Sequence, residues 1–228
     1  MKIAVVLPAY NEERSIGRVI DGVRHSFSRT LPNHSLEIIV VNDCSTDKTS
    51  AVALKKKVTL VNHSENTGYG GALITGFNSA KNSDIIVTLD SDGQHDPEEL
   101  AMLLVPIFDK KADIVIGSRF LDGSTSFPLY RKLGILGFTA LTNLLFGLNV
   151  TDCQSGLRAY RSSVVRSLHL KDTTMGISLE ILAKVARRNY RVVEVRSRCD
   201  YSRARHSTGP ISHGACLLKS LFVHYLEK

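Results

Sequence analysis

Short β-branched runs that alternate with helical patterns constrain this chain more than any other feature. Such runs are too short for helices, and strands that are apolar on both faces belong in a sheet covered by helices. We therefore predict an α/β fold whose mainly parallel sheet is flanked by helices. The predicted strands are residues 3–7, 37–41, 58–61, 84–89, 114–116 and 192–195.

Two segments have the clearest helical pattern. After the first strand, Asn11 is the predicted N-cap, with Glu12 and Glu13 in the first turn, where the helix dipole favours acidic residues. After the fourth strand, Asp96 and Pro97 are predicted to begin another helix. The side chains expected to face the core are Ile16, Val19, Ile20, Val23 and Phe27 in the first helix, and Leu100, Leu103, Leu104, Ile107 and Phe108 in the second.

The net charge of +7 is concentrated in the last third of the chain. Residues 1–157 carry 15 Lys and Arg against 17 Asp and Glu, a net of −2, whereas residues 158–228 carry 14 against 5, a net of +9. A basic region indicates an anionic partner, such as a phosphorylated substrate, a membrane surface or nucleic acid. Few aromatic residues interrupt the basic ones and no nucleic-acid motif accompanies them, so we do not expect nucleic acid.

The composition and the cysteines indicate an intracellular globular protein. With 228 residues, 43% of them hydrophobic and 22% charged, the chain suits one substantial domain and not a disordered or fibrous protein. Its four cysteines are widely spaced, so we expect reduced thiols in the cytoplasm. Residues 133–151 carry no charge but include Thr and Asn, and we expect a helix that is buried or lies in a membrane interface.

Polar side chains follow several predicted strands, where ligands bind in parallel sheets. Asp90 and Asp92 come directly after a buried strand, and two such carboxylates suit Mg²⁺ on a diphosphate, with Gln94 as a further oxygen ligand. Turn formation by Asp92-Gly93 is the alternative for this pair. Asp43 follows the second strand, and its carboxylate is expected either to bind a base or ribose or to form an Asx-turn.

A glycine-rich turn, Asn66-Thr67-Gly68-Tyr69-Gly70-Gly71-Ala72, is predicted to open a helix and to let backbone approach a ligand closely. It does not follow the first strand, and it has neither the G-x-G-x-x-G pattern nor a P-loop lysine. We therefore do not expect a dinucleotide-binding site or a P-loop phosphate site at this turn.

Taken in order, the motifs at the strand ends resemble the family-2 glycosyltransferases of GT-A fold. The residues that carry this resemblance are Pro8-Ala9-Tyr10-Asn11-Glu12, Val41-Asn42-Asp43-Cys44-Ser45-Thr46-Asp47, Asn66-x-Gly68 and Asp90-Ser91-Asp92-Gly93-Gln94-His95. Four later motifs are similar to the dolichyl-phosphate mannose synthase and polyprenyl-phosphate glycosyltransferase branch. They are Gln94-His95, Gly117-Ser118-Arg119, Tyr130-Arg131-Lys132 and Asp152-x-x-Ser155-Gly156-Leu157-Arg158-Ala159-Tyr160.

The resemblance implies one GT-A domain over residues 1–228. Residues 1–116 would bind the nucleotide sugar and metal, and residues 117–228 would bind the acceptor through helices at the membrane interface. The implied reaction is inverting transfer of a hexose, mannose or glucose, from a GDP- or UDP-linked donor to a polyprenyl or dolichyl phosphate. The implied enzyme is peripheral on the cytoplasmic face of the membrane, with a membrane-anchoring partner.

The same resemblance assigns roles to individual residues. The implied ligands of Mg²⁺ or Mn²⁺ are Asp90, Asp92 and Gln94, and the implied nucleotide-sugar site is Pro8, Tyr10, Glu12, Asp43 and Asp90. The implied catalytic residues are Asp92, Asp152, Arg119 and Arg131, and the implied acceptor-phosphate site is Arg119, Arg131, Arg203 and Arg205.

Some assignments stay open. The segment 201–207 lacks the lysine that relatives commonly carry, so either Arg203 or Arg205 would bind phosphate. Asp152 is either a general base or a residue that orients Arg158 or the acceptor loop, because a phosphate acceptor is already largely ionised at pH 7 and needs no base. The alternative function is a family-2 transferase that acts on a hydroxyl of a glycan. A sugar-1-phosphate nucleotidyltransferase is not expected, because residues 8–13 contain no glycine.

Overall fold

A computed structural model of the chain describes residues 1–121, 128–200 and 210–226, except for the side chains of residues 210–213. The strands are β1 Lys2–Ala9, β2 Ser35–Asn42, β3 Thr59–Asn62, β4 Ile85–Thr88, β5 Ile114–Ser118, β6 Arg158–Arg161 and β7 Val192–Arg196. The helices are α1 Ile16–Thr30, α2 Thr49–Lys55, α3 Gly68–Ser79, α4 Leu100–Phe108, α5 Leu129–Phe146, α6 Ser162–Leu168, α7 Ile177–Arg187 and α8 Pro210–Leu226.

The strands form one seven-stranded sheet in the order β3-β2-β1-β4-β6-β5-β7. β6 runs antiparallel to both of its neighbours, and the other pairs are parallel. The predicted mainly parallel α/β sheet is confirmed, and each predicted strand is present within one or two residues of its expected ends. β6 was missed because its sequence begins and ends with arginine, although Arg158 is almost fully buried in the fold.

Helices cover both faces of the sheet. α1, α2 and α4 pack on one face, and α3, α6, α7 and α8 pack on the other. All the side chains predicted to face the core from α1 and α4 are buried, except Phe108, which is partly buried. Burying one Ile or Leu side chain stabilises a fold by about 1.5–3 kcal/mol, so the two layers fix the sheet firmly.

The start of α1 differs from the prediction. Ser15 is the N-cap residue, so Asn11 is not, and Glu12 and Glu13 precede the helix and do not lie in its first turn. Asn11 has a φ of +57° and accepts a hydrogen bond from the backbone N–H of Thr46 at 2.8 Å. The residues after β1 therefore bind the loop after β2. By contrast, a helical turn does begin after Asp96 as predicted: Asp96 caps a short 3-10 helix, Pro97–Glu99, that directly precedes α4, and its carboxylate accepts the N–H of Glu98 at 3.0 Å.

α5 and α8 expose many large apolar side chains. The uncharged stretch predicted as one helix ends earlier, because Gly147 adopts a φ of +66° after Phe146 and terminates α5. Within the described residues, no helix is both long enough and apolar enough to cross a membrane. The exposed side chains are Leu129, Tyr130, Leu133, Leu136 and Leu144 on α5, and Leu218, Phe222, Val223, Tyr225 and Leu226 on α8.

Candidate active site

The candidate site lies at the edge of the sheet where the parallel strands end. Asp43 follows β2, the Asp90-Ser91-Asp92 turn follows β4, and Arg119 follows β5. Because β6 is antiparallel, it begins at this same edge, which brings the loop before Arg158 beside the others. The hydroxyl of Ser91 donates to the carbonyl of Pro8 at 2.6 Å and joins the turn to the end of β1.

Asp43 is buried and already holds several hydrogen bonds. Its Oδ1 accepts from the backbone N–H of Thr67 at 2.8 Å and from the ring of His63 at 2.7 Å, and its Oδ2 accepts from the N–H of Gly68 at 2.9 Å. Burial alone would raise the pKa of Asp43, but these donors hold it below its ordinary value. Asp43 thus fixes the N-terminus of α3, and its predicted contact with a nucleotide stays a prediction.

The loop after β1 is tied to the start of α2. The N–H of Glu12 donates to the hydroxyl of Thr49 at 2.7 Å, and the carboxylate of Glu12 accepts from Ser15. Tyr10 points outward, with 47% of its surface exposed. The backbone N–H of Asp43 donates to the carbonyl of Ala9 at 2.9 Å, so Pro8 and Tyr10 flank a residue bonded to Asp43. The nucleotide-binding roles of Pro8, Tyr10 and Glu12 stay predictions.

Asp90 and Asp92 form an acidic pair with perturbed ionisation. Burial and the negative charge of Asp92 raise the pKa of Asp90 to about 6, and burial also raises the pKa of Asp92. The hydroxyl of Tyr69 donates to Oδ1 of Asp90 at 3.0 Å. A divalent cation would offset the repulsion between two such carboxylates, so the pair suits a cation chemically.

Gln94 lies beside Asp92, and Gly156 lies beside Asp90. The side-chain amide of Gln94 donates to Asp92, while its oxygen lies 3.4 Å from the thiol of Cys199. Gln94 supports Asp92 in this arrangement, and its role as a third metal ligand stays a prediction. A Cβ atom at Gly156 would lie 2.3 Å from Oδ2 of Asp90, so only glycine leaves the carboxylate its position.

The donor set fits Mg²⁺ or Mn²⁺ when the substrate completes the shell. Among the residues that the structure describes, no group of three or more His, Cys, Asp or Glu side chains could hold a metal. Mg²⁺ in phosphate sites typically takes one or two carboxylates and completes its shell with water and phosphate oxygens. A pair of aspartates is therefore sufficient for a cation that also binds a diphosphate.

Asp152 and Arg119 form a buried ion pair. Nε of Arg119 lies 2.6 Å from Oδ2 of Asp152 and Nη2 lies 2.8 Å from Oδ1, and only 8% of Arg119 is exposed. Burial would raise the pKa of Asp152, but the charge and hydrogen bonds of Arg119 hold it below its ordinary value. The guanidinium of Arg158 donates instead to the carbonyls of Ser155 and Cys153, so Asp152 pairs with Arg119, and its role as a base or as a residue that orients the acceptor loop stays a prediction.

The loop that carries Asp152 is fixed by β7 and α5. The carboxylate of Glu194 accepts the N–H groups of Thr151 and Asp152 at 2.7 and 3.0 Å. Asn143 of α5 exchanges two hydrogen bonds with the backbone of Val150. Asp152 and Arg119 are thereby oriented before any ligand binds.

The structure describes Arg131 and His95 but not Arg203 or Arg205. Arg131 is partly buried in the first turn of α5. Arg203 and Arg205 lie outside the described residues. His95 is buried beside Ser197, and burial together with the charge of Arg119 lowers its pKa to about 4, so it is a neutral residue of the loop.

Sequence reasoning missed Tyr69, Thr67, His63 and Glu194 as neighbours of the acidic residues. The glycine-rich turn and the strand-end position of Asp43 were visible signals, but nothing local indicated that Thr67 binds Asp43. All four cysteines are free.

Comparisons with known proteins identify the family of the chain. Residues 4–168 match the family described as glycosyl transferase family 2. The chain is 37% identical over 188 residues to UDP-N-acetylglucosamine–dolichyl-phosphate N-acetylglucosaminyltransferase of Methanococcus voltae, covering 73% of this chain and 72% of that protein. It is 32% identical over 211 residues to undecaprenyl-phosphate mannosyltransferase of Micrococcus luteus, covering 86% and 82%.

A solved structure shares the fold. Glucosyl-3-phosphoglycerate synthase from Mycobacterium tuberculosis, crystallised with Mn²⁺, uridine diphosphate and phosphoglyceric acid, superposes with a TM-score of 0.74. The identity is 23%, and the match covers 99% of this chain and 78% of that one. The likeness confirms the predicted GT-A arrangement of sheet and helices.

Proposed function

This chain belongs to glycosyl transferase family 2, and from that premise we propose that it transfers a hexose from a nucleotide diphosphate sugar to a polyprenyl phosphate with inversion. The observation that carries the proposal is the acidic pair Asp90 and Asp92 at the same edge as the Arg119–Asp152 ion pair. Asp90 and Asp92 suit a cation that binds the donor diphosphate. Arg119, which Asp152 holds in place, suits an anionic acceptor.

Asp90 and Asp92 would hold Mg²⁺ or Mn²⁺, which when bound offsets the charge that develops on the departing nucleotide diphosphate. Tyr69 keeps Asp90 oriented through its hydroxyl, and Gln94 does the same for Asp92. Asp43 would orient the nucleotide through the N-terminus of α3 that it fixes. These residues bind and align the donor and take no proton.

The lowered pKa of Asp152 and its ion pair with Arg119 favour a phosphate acceptor over a sugar hydroxyl. A sugar hydroxyl needs a general base, and a base works best when its pKa lies near the working pH. The pKa of Asp152 is held below its ordinary value and both of its oxygens bind Arg119, so it is a poor base. A phosphate monoester is already largely a dianion at pH 7 and attacks without one. Asp152 therefore serves as the residue that orients Arg119.

The apolar surface of α5 and α8 supports a peripheral membrane contact. Leu144 is 79% exposed on α5 and Phe222 is 56% exposed on α8, and α5 packs against α8. Lys132 and Lys219 are exposed on the same helices, and positive charge near apolar side chains favours an anionic lipid surface. The lipid phosphate would enter from that surface.

An extraction assay tests the proposed reaction. Purified protein is incubated with Mn²⁺, polyprenyl phosphate and labelled UDP-glucose, UDP-N-acetylglucosamine or GDP-mannose, and the mixture is partitioned between organic and aqueous phases. We expect label in the organic phase with at least one donor. Arg131→Ala should reduce this product while nucleotide binding persists. A parallel incubation with a glycan in place of polyprenyl phosphate tests the alternative, and label found only in that water-soluble glycan would favour the glycan acceptor instead.

Vesicle sedimentation tests the membrane contact. Leu144→Ser combined with Phe222→Ser should reduce binding to vesicles of phosphatidylglycerol and phosphatidylcholine, because each removes exposed apolar surface. Leu54→Ser is the matched control, since Leu54 is 67% exposed on α2. Equal binding of the double variant and the control would contradict this surface assignment.

A further inference from the structure

α8 buries polar as well as apolar side chains against the protein. Leu217 and Leu221 are buried, and so are Ser220 and His224, with 6% and 4% of their surfaces exposed. Ser220 and His224 are four residues apart and lie on one helix face. The hydroxyl of Ser220 donates to Oδ2 of Asp172 at 2.6 Å, and Nε2 of His224 lies 3.4 Å from the same oxygen. Asp172 is thus the polar anchor of α8.

Asp172 belongs to residues 171–176, which we call the α7 entry loop because α7 follows it. Oδ1 of Asp172 accepts the N–H of Thr174 at 2.8 Å. The buried carboxylate of Glu180 accepts the N–H groups of Lys171 and Asp172 at 2.9 and 2.8 Å. A Cβ at Gly176 would lie 2.2 Å from Oγ of Ser220, so the glycine permits the approach of α8. Glu180 of α7 and Ser220 of α8 therefore both hold the α7 entry loop in place.

The α7 entry loop rests on the N-terminus of α3. The N–H of Gly71 donates to the carbonyl of Thr173 at 3.1 Å. A Cβ at Gly68 would lie 2.6 Å from that carbonyl, and one at Gly70 would lie 2.2 Å from the carbonyl of Asp172. The glycine-rich turn was expected to admit a ligand, but these glycines admit the α7 entry loop.

The same turn holds two acidic residues of the candidate donor site. The backbone N–H groups of Thr67 and Gly68 donate to Asp43, and the hydroxyl of Tyr69 donates to Asp90. A continuous set of hydrogen bonds and backbone contacts therefore joins α8 to both carboxylates through the α7 entry loop.

We propose that Asp172 is a positioning residue of the donor site, which couples the seating of α8 to the binding of a nucleoside diphosphate. The inference rests on the proposed function and adds a link between the helix that would face the lipid and the residues that would bind the donor. Coupling between two binding events is reciprocal. A nucleotide that fixes the start of α3 must therefore also stabilise α8 on Asp172.

Nucleotide binding to the full chain gives the first measurement. The probes are UDP and GDP, each with Mn²⁺, in titration calorimetry. We expect Asp172→Asn and Ser220→Ala each to raise the dissociation constant about fivefold or more. Asp109→Asn is the matched control and should leave it unchanged, because Asp109 is a surface carboxylate paired with Lys111. Ser220→Ala leaves Asp172 and its loop bonds in place, so it serves if Asp172→Asn does not fold.

Hydrogen exchange of α8 separates coupling from a purely structural role. In the wild type, saturating nucleotide should slow exchange of the amides of residues 214–226, and Ser220→Ala or Asp172→Asn should remove this response. A structural role alone would speed exchange equally with and without nucleotide. Wild-type affinity in both variants, or an α8 that does not respond to bound nucleotide in the wild type, would overturn the coupling. A wild type that binds neither nucleotide would instead contradict the proposed function and the inference with it.

Discussion

Replacing Gly156 with alanine should disable the acidic pair without disturbing the core. The new Cβ would lie 2.3 Å from Oδ2 and 2.5 Å from Oδ1 of Asp90, whereas ordinary contacts begin at 3.4 Å. The backbone at this position cannot easily retreat, because the hydroxyl of Thr88 donates to the carbonyl of Gly156 at 2.8 Å. The carboxylate of Asp90 must therefore move, by about 1 Å on this geometry.

A displacement of about 1 Å at a reacting site typically lowers the rate about 100-fold. We expect Gly156→Ala to lower kcat/KM by about that factor, which corresponds to about 2.7 kcal/mol of transition-state stabilisation. The loss should also appear as weaker binding of UDP or GDP in the presence of Mn²⁺, measured by calorimetry. Circular dichroism and the melting temperature report whether the variant is folded.

Gly137→Ala is the matched control for this substitution. Gly137 lies within α5 with nothing inside 4 Å of its Cβ position, and alanine in a helix interior is more stable than glycine by about 0.5–1 kcal/mol. The control should keep full activity and gain slight stability. A Gly156→Ala protein with wild-type kcat/KM and wild-type nucleotide affinity would refute the placement of Asp90 against Gly156.

Three further predictions concern buried charge. Asp152→Ala should destabilise the fold by about 3–5 kcal/mol in urea unfolding, because it removes the buried ion pair with Arg119. Asp152→Leu with Arg119→Met should recover stability but not activity. The metal-free protein should lose stability as pH rises from about 4 to about 6. The pKa of Asp90 is about 6 in the folded protein and 3.8 ordinarily, so in this pH range the folded state binds a proton that the unfolded state has lost. Raising the pH therefore favours unfolding. Asp90→Asn should reduce this pH dependence in thermal unfolding. Mn²⁺ affinity should rise with pH over the same range, since the cation competes with the proton, and an affinity independent of pH would contradict this.

The strands and the position of the acidic pair could be predicted because both depend on local pattern. Short continuous apolar runs between helical patterns identify buried strands, and the residue after a parallel strand must lie at the ligand edge of the sheet. Asp43, Asp90 and Asp92 were found in this way. β6 could not be found, because the burial of Arg158 depends on carbonyls that the surrounding loop supplies only after folding.

The helix start after β1 was misplaced for a similar reason. Asn11 is a good N-cap by residue type. It instead binds Thr46, which is 35 positions away in the sequence, and the helix begins later at Ile16. A contact with a distant loop therefore outweighed the local capping preference, and only the folded chain brings that loop close.

The sequence by itself determined the α/β class, the order of the strands along the chain and the edge at which the carboxylates gather, because periodicity and strand-end position are local properties. The tertiary structure alone decided which groups those carboxylates meet. Asp152 pairs with Arg119, Asp43 binds the start of α3, and Asp172 anchors α8. Each pair joins segments far apart in sequence, and their distances are set by how the sheet and its helices close around the core.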